Sequence, residues 1–413
     1  MKSKNLEEWG QISIGDLGTF YTGLTGKTAK DFGTGNPFLT YMQVYLQRTS
    51  KKREVNYVFI GDDEKQNKVA YGDIIFTTSS ETPDEIGMTD VFLETDWTPY
   101  LNSFCFGLRV KDSSLIEPSF IKYLLRGDKF RKDIRPLAQG STRFNLSKSN
   151  LAKLNILIPP LLEQKKIAST LSSVDKVIEN TQRQINKLKD LKKAMMNKLL
   201  TKGIDHTEFK DSKLGKIPKN WVVKKLQDVG QCVRGLTFAP ENVVKKGLLV
   251  LRSSNIKDGS LSFKNNVFVN IKVDNQFLSQ EGDILICVRN GSRHLLGKSA
   301  LIIGDRPQST HGAFMTIFRT DNYKFVRFLI QSDWFFTQVS RDIGATINSI
   351  NNKNLLEYSF AFPPLNEQLE ISNILDSVEK QIDNKKNKLF QTQSLKKSLM
   401  QVLLTGKIRM KVS

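Results

Sequence analysis

Cysteine and histidine are both scarce in this chain. Cys105, Cys232 and Cys287 are isolated and odd in number, which argues against a secreted disulfide framework and for a reducing compartment. His206, His294 and His311 have no partner at metal-ligand spacing, and neither do the cysteines. Long apolar runs are missing too: no stretch approaches the roughly eighteen residues of a membrane helix. The segment Met1-Lys2-Ser3-Lys4-Asn5-Leu6-Glu7-Glu8-Trp9 lacks the apolar core of a signal peptide. A cytoplasmic protein with no membrane partner is therefore expected. Acidic residues are in deficit, 42 against 62 Lys and Arg, for a net charge of +20. Such a balance favours a polyanionic partner whose phosphates supply salt-sensitive affinity. The apolar content is ordinary at 39 %, which speaks against disorder as the main state. At 413 residues the chain is long enough for two or more cores.

Catalytic motifs are lacking as well. An amino-methyltransferase motif needs Asn or Asp before paired prolines and an aromatic after them. Here Leu161 and Leu365 follow Pro159-Pro160 and Pro363-Pro364, so the pairs read as structural. Gly23-Leu24-Thr25-Gly26-Lys27-Thr28 resembles the end of a phosphate loop, but the required first glycine would fall on Tyr21. No Ser/His/Asp set and no nuclease carboxylate cluster can be assembled.

What the chain does have is a repeat. Leu157-Ile158-Pro159-Pro160-Leu161-Leu162-Glu163-Gln164 returns as Ala361-Phe362-Pro363-Pro364-Leu365-Asn366-Glu367-Gln368, an offset of 363 − 159 = 204. Apolar residues then follow a heptad seam. The first copy has Ile167, Leu171, Val174, Ile178, Ile185, Leu188, Met195 and Leu199; the second has Ile371, Leu375, Val378, Ile382, Leu389, Thr392, Leu399 and Leu403. Leu191 and Leu395 sit beside the seam. A helix from about Lys165 to Leu200 is expected after the first proline pair, ending at Gly203 as the second ends at Gly406, where glycine can take a left-handed cap.

A more divergent segment precedes each helix and reads as mixed strands and short helices. Trp9 matches Trp221, Tyr71-Gly72-Asp73-Ile74-Ile75-Phe76 matches Glu281-Gly282-Asp283-Ile284-Leu285-Ile286, and Phe104 to Arg109 matches Phe314 to Arg319. The matched glycine–aspartate turns should lead into buried strands. The expected fold class is mixed α and β: two globular α/β domains joined by two long helices that form an antiparallel coiled coil, with pseudo-two-fold symmetry. Boundaries are placed at 1–158, 159–206, 207–362 and 363–413, in the order globular, helix, globular, helix. In a DNA reader, approximate symmetry mirrors the layout of the site, and two unlike globular domains imply two unlike half-sites. A coiled-coil scaffold, a free-standing architectural DNA binder and a self-sufficient methyltransferase or nuclease are the competing readings.

The doubled Pro-Pro-Leu-x-Glu-Gln with its heptad helix, Gly140-Ser141-Thr142 and Gly344-Ala345-Thr346 before it, and Gly215-Lys216-Ile217-Pro218-Lys219-Asn220-Trp221 opening the second half resemble the specificity subunits of type I restriction-modification enzymes. The resemblance covers essentially the whole chain. Its departures are small: no longer lead-in precedes Trp9, and Ile158 stands where the second copy has Phe362. It implies that the globular parts are target recognition domains, each reading half of a split site in double-stranded DNA. It implies that the helices set the spacing and dock two modification subunits, which methylate adenine at N6, and that two restriction subunits join for cleavage. It implies a chain with no catalytic centre and no cofactor of its own, S-adenosylmethionine, ATP and magnesium belonging to the partner subunits.

Base edges are read by Arg, Asn, Gln, Ser and Thr. The first domain offers Thr25, Lys27, Gln43 and Arg48, with Ser141, Thr142 and Arg143 in the glycine-flanked loop before the helix. The second offers Arg252, Ser253, Asn255 and the run Arg289, Asn290, Ser292, Arg293 and His294, with Thr346 and Asn348 in the loop equivalent to Thr142.

Overall fold

A computed structural model describes residues 8–49, 55–343 and 349–411. The chain divides into two compact units, Met1–Gln182 with Asn387–Ser413, and Arg183–Lys386. Each unit therefore holds one globular part and a stretch of both long helices.

Buried apolar runs form the centre of each globular part. In the first unit Gly18–Thr22 (β1), Ile74–Thr77 (β2), Thr89–Val91 (β3) and Cys105–Val110 (β4) make an antiparallel sheet ordered β1-β4-β2-β3. In the second, Gln231–Val233 (β5), Ile284–Cys287 (β6), Ser299–Leu301 (β7) and Met315–Arg319 (β8) are ordered β5-β8-β6-β7. The register is the same: Ile74 faces Leu108 and Val91, and Ile284, 284 − 74 = 210 residues later, faces Phe318 and Leu301. Every residue of β2 and β6 is buried, as a central strand covered on both faces requires. The turns entering them need the left-handed region, supplied by Gly72 at φ +83° and Gly282 at φ +88°.

The aspartate after each of these glycines is locked. Arg109 Nε and Nη2 donate to Asp73 at 3.0 and 2.7 Å, and Arg319 Nε and Nη2 to Asp283 at 2.8 and 2.8 Å. The Ala70 and Gln280 amides add a further bond to each carboxylate. Two buried charges are thereby fully partnered, which is what makes their burial tolerable.

The long helices are Leu161–Lys202 (α1) and Leu365–Leu403 (α2). α1 starts four residues before the expected Lys165, directly after the prolines, because the Pro160 carbonyl already accepts from Gln164 N at 3.0 Å; Pro364 does the same for Gln368. All sixteen seam positions are buried or half-buried. Thr181, which the apolar pattern skips, is also buried in the seam, its hydroxyl donating to the Val177 carbonyl at 2.7 Å.

In the first unit Ile167, Ala168 and Leu171 share a core with Leu399, Met400, Leu403 and Leu404, and Lys396 Nζ lies 2.6 Å from Asp175. In the second, Met195, Met196, Leu199 and Leu200 meet Ile371, Ile374 and Leu375, and Lys192 Nζ lies 2.5 Å from Glu379. Within each unit the start of one helix thus faces the end of the other, so the pairing is antiparallel, as expected from the sequence.

The Glu-Gln of the repeated motif closes this arrangement. Gly203 and Gly406 take the left-handed cap at φ +67° and +70°. Just past Gly203, the Ile204 amide, His206 Nε2 and Trp221 Nε1 donate to Glu367 at 3.0, 2.8 and 3.0 Å. Just past Gly406, Arg409 Nη2 and the Met410 amide donate to Glu163 at 2.8 and 3.0 Å. Gln164 Nε2 and Gln368 Nε2 return to the Pro159 and Pro363 carbonyls at 2.9 and 2.6 Å. The motif is a structural clamp.

Candidate nucleic-acid interface

The loop of residues 140–143 joins the short strands Ala138–Gln139 and Phe144–Leu146, with Gly140 at φ +128° making the bend. Ser141, Thr142 and Arg143 are exposed on it. The Arg143 guanidinium lies over the Phe104 ring, 5.5 Å from its centre. Residues 289–294 follow β6 in the second unit. Arg289, Ser292, Arg293 and His294 are exposed, and Arg289 lies over the Phe314 ring at 5.7 Å. Asn290 Nδ2 donates to Ser253 Oγ at 3.3 Å, which brings the 252–255 and 289–294 segments together.

The two units use one scaffold with different chemistry on it. Ser79 pairs with Asn145 in the first unit as Arg289 bridges to Ser349 in the second. The single-turn helix Arg293–Leu295 has its counterpart in Pro83–Glu85. Where the second unit carries Arg289, Arg293 and His294, the first carries Ser79, Pro83 and Asp84. Its arginine over the aromatic ring comes from residue 143 instead.

Four of the expected readers have side chains engaged within the fold. Gln43 is 4 % exposed and its Oε1 accepts from the Thr40 amide at 2.9 Å, capping the short helix Tyr41–Tyr45. Asn255 is fully buried: Oδ1 takes the Arg252 amide at 2.9 Å and Nδ2 donates to the Ser262 carbonyl at 2.9 Å. Both amides serve the local backbone, the usual alternative to groove readout for such side chains. Lys27 is ion-paired with Glu64 and its side chain is nearly covered. Arg252 is half-buried, with Nη2 near the Asn265 carbonyl and Nε buried without a partner. Thr25 and Arg48 are exposed, and the Thr25 amide is tied to Gln66 at 3.1 Å. Thr346 and Asn348 lie outside the described residues.

Phe104 and Phe314 were not among the candidates, although the sequence aligns them. They are 51 % and 59 % exposed, while the next residues, Cys105 and Met315, are buried. The usable signal was a large aromatic kept at one repeat position just before a buried strand. His311, by contrast, is buried: its Nε2 lies 3.0 Å from the Val233 carbonyl, and burial pushes its pKa down to about 4. Among the described residues no cluster of three His, Cys, Asp or Glu could hold a metal, and no helix is long and apolar enough to cross a membrane.

The profile of one family, the type I restriction modification DNA specificity domain, matches this chain twice, over residues 6–190 and 218–391. The chain belongs to that family. The two matches fall on the two copies of the repeat. The specificity subunit MjaVIII of Methanocaldococcus jannaschii is 31 % identical over 280 residues, an alignment that spans 65 % of this chain and 65 % of the relative. The specificity subunit MjaX of the same organism is 29 % identical over 424 residues, 98 % of this chain and 95 % of the relative.

Solved structures share the fold. The specificity subunit of a type I restriction-modification system from M. genitalium superposes with a TM-score of 0.56, at 17 % identity, over 100 % of this chain and 99 % of that one. A chain from a structural study of complex assembly and conformational transition of the type I system gives 0.60, at 17 % identity, over 97 % and 98 %. This chain thus shares the fold of those subunits along its whole length.

Proposed function

We propose that each unit of this specificity subunit reads one half of an asymmetric, bipartite site in double-stranded DNA. The observation that carries this reading is the pair of sheets in identical register bearing different loops: Ser79, Pro83 and Asp84 in one, Arg289, Arg293 and His294 in the other. One scaffold presents two sets of donors and acceptors, and two sets read two sequences. Ser141, Thr142 and Arg143 face the first half-site, and Ser253, Arg289, Asn290, Ser292, Arg293 and His294 the second. The basic excess supplies phosphate affinity.

In this reading α1 and α2 fix the number of unread base pairs and dock two modification subunits, with two restriction subunits joining for translocation and cleavage. S-adenosylmethionine, ATP and magnesium are held by those subunits, which act in the cytoplasm. The test is co-expression with the cognate modification subunit and mapping of N6-methyladenine across a genome without other methylation. A split, asymmetric motif that disappears without this chain is the expected result. Methylation that persists without it would overturn the reading.

A further inference from the structure

We propose that Phe104 and Phe314, each with its arginine, are DNA contacts, the ring lying against the sugars and base edges of a half-site and the guanidinium against the adjoining phosphate. The inference rests on the half-site reading above and adds a gripping element common to both units. It starts from position. The rings stand 314 − 104 = 210 residues apart, at one place in two units whose loops otherwise diverge. Both are more than half exposed, although the strands they precede are buried throughout their first residues.

Their support is rigid and also matched. The Phe104 carbonyl accepts from the Thr78 amide at 2.8 Å, and the Phe314 carbonyl accepts from the Val288 and Arg289 amides at 3.0 Å each. The ring therefore projects from the end of a braced sheet rather than from a slack loop. Each ring is covered by a guanidinium, at 5.5 Å for Arg143 and 5.7 Å for Arg289. Those arginines come from non-equivalent positions. The residue matching Arg289 in the first unit is Ser79, and the one matching Arg143 in the second, 347 − 143 = 204 residues on, is Ile347. The pairing thus recurs although the residue that supplies it does not, which inheritance of one ancestral contact would not produce.

Among the described residues neither guanidinium forms an ion pair with a carboxylate. Each retains a full charge beside a π face. That combination suits a polyanion with stackable or sugar-edged surfaces. The loops that carry these arginines also hold the exposed polar residues Ser141 and Thr142 in one unit and Ser292, Arg293 and His294 in the other. An apolar protein partner would leave these groups unpaired.

The experiment uses the full chain assembled with its modification subunit and the split site found by methylation mapping. Phe104→Leu and Phe314→Leu keep apolar volume and remove the π face. Each should weaken binding to the intact site about ten-fold, within the range measured for aromatic contacts to nucleic acid. The Phe104→Leu loss should vanish when one half-site is scrambled, and the Phe314→Leu loss when the other is. Arg143→Gln and Arg289→Gln should each lower the slope of log affinity against log salt by about one. Leucine variants that bind every DNA as the unsubstituted complex does would overturn the proposal. So would variants that keep DNA affinity but lose the modification subunit on co-purification. If the unsubstituted complex recognises no split site at all, it is the half-site reading that fails.

Discussion

Arg293 shows how side-chain chemistry and placement combine at the scale of one residue. It opens a single-turn helix, is exposed, and stands where the first unit has Pro83. Arg293→Ala should cost about 1–3 kcal/mol on DNA with an intact second half-site and much less on DNA in which that half is scrambled. Titration at fixed salt checks this; an equal loss on all sequences would mark a phosphate contact. Gln43 and Asn255 are equally good readers by chemistry alone. The spacing Thr40-x-x-Gln43 is also that of a capping box, and the sequence holds both options open because nothing local decides whether an amide turns out to a groove or back to its own helix. Burial decides it, and burial depends on residues far away in the chain.

At the scale of elements the repeat was highly legible. A heptad pattern is a local property, and two matching copies fixed both long helices and their seams to within a few residues. The proline pairs marked where the helices start. The glycine–aspartate turns marked the central strands β2 and β6. The three-residue edge strands β3, β5 and β7 left no comparable signature, since so short a strand has no periodicity to detect, and the parallel pairing of Phe38–Leu39 with Tyr100–Leu101 joins segments too far apart in the chain for a local pattern to report. Thr181 was missed in the seam because a hydroxyl satisfied by its own helix counts as polar in any pattern search.

The Glu-Gln of the repeat could be recognised as a motif but not explained until its partners were in place. Burial works to raise the Glu163 carboxyl, yet the Arg409 guanidinium and the Met410 amide outweigh it and hold the group below the ordinary range. A carboxylate depressed on folding contributes stability that is present above its unfolded value, about 4.3, and is lost as pH falls through the lower folded value. Glu163→Gln should therefore destabilise the first unit by about 1–3 kcal/mol at neutral pH and remove the matching part of the acid-side decline. Thermal unfolding followed from pH 7 to pH 3 reads both. An unchanged acid limb in the variant would mean that the clamp carries no net stability.

At the scale of the whole molecule the specificity reading makes the helices a ruler as well as a core, and the two roles separate under deletion. A heptad keeps the seam in phase, because seven residues return an apolar stripe to nearly the same face. Removing residues 179–185 from α1 together with their repeat partners 383–389 from α2 should therefore preserve pairing while shortening each helix by about 10.5 Å. At about 3.4 Å per base pair, the unread gap in the preferred site should shrink by about three base pairs. Methylation mapping with the double-deleted chain reads the new gap directly, with both half-site sequences expected to stay as they were. Deleting residues 179–185 alone leaves the helices unequal and should shorten the gap or abolish binding. If the double deletion assembles with its modification subunit and methylates the original spacing, the distance between half-sites is set elsewhere and the helices serve only as core and docking surface.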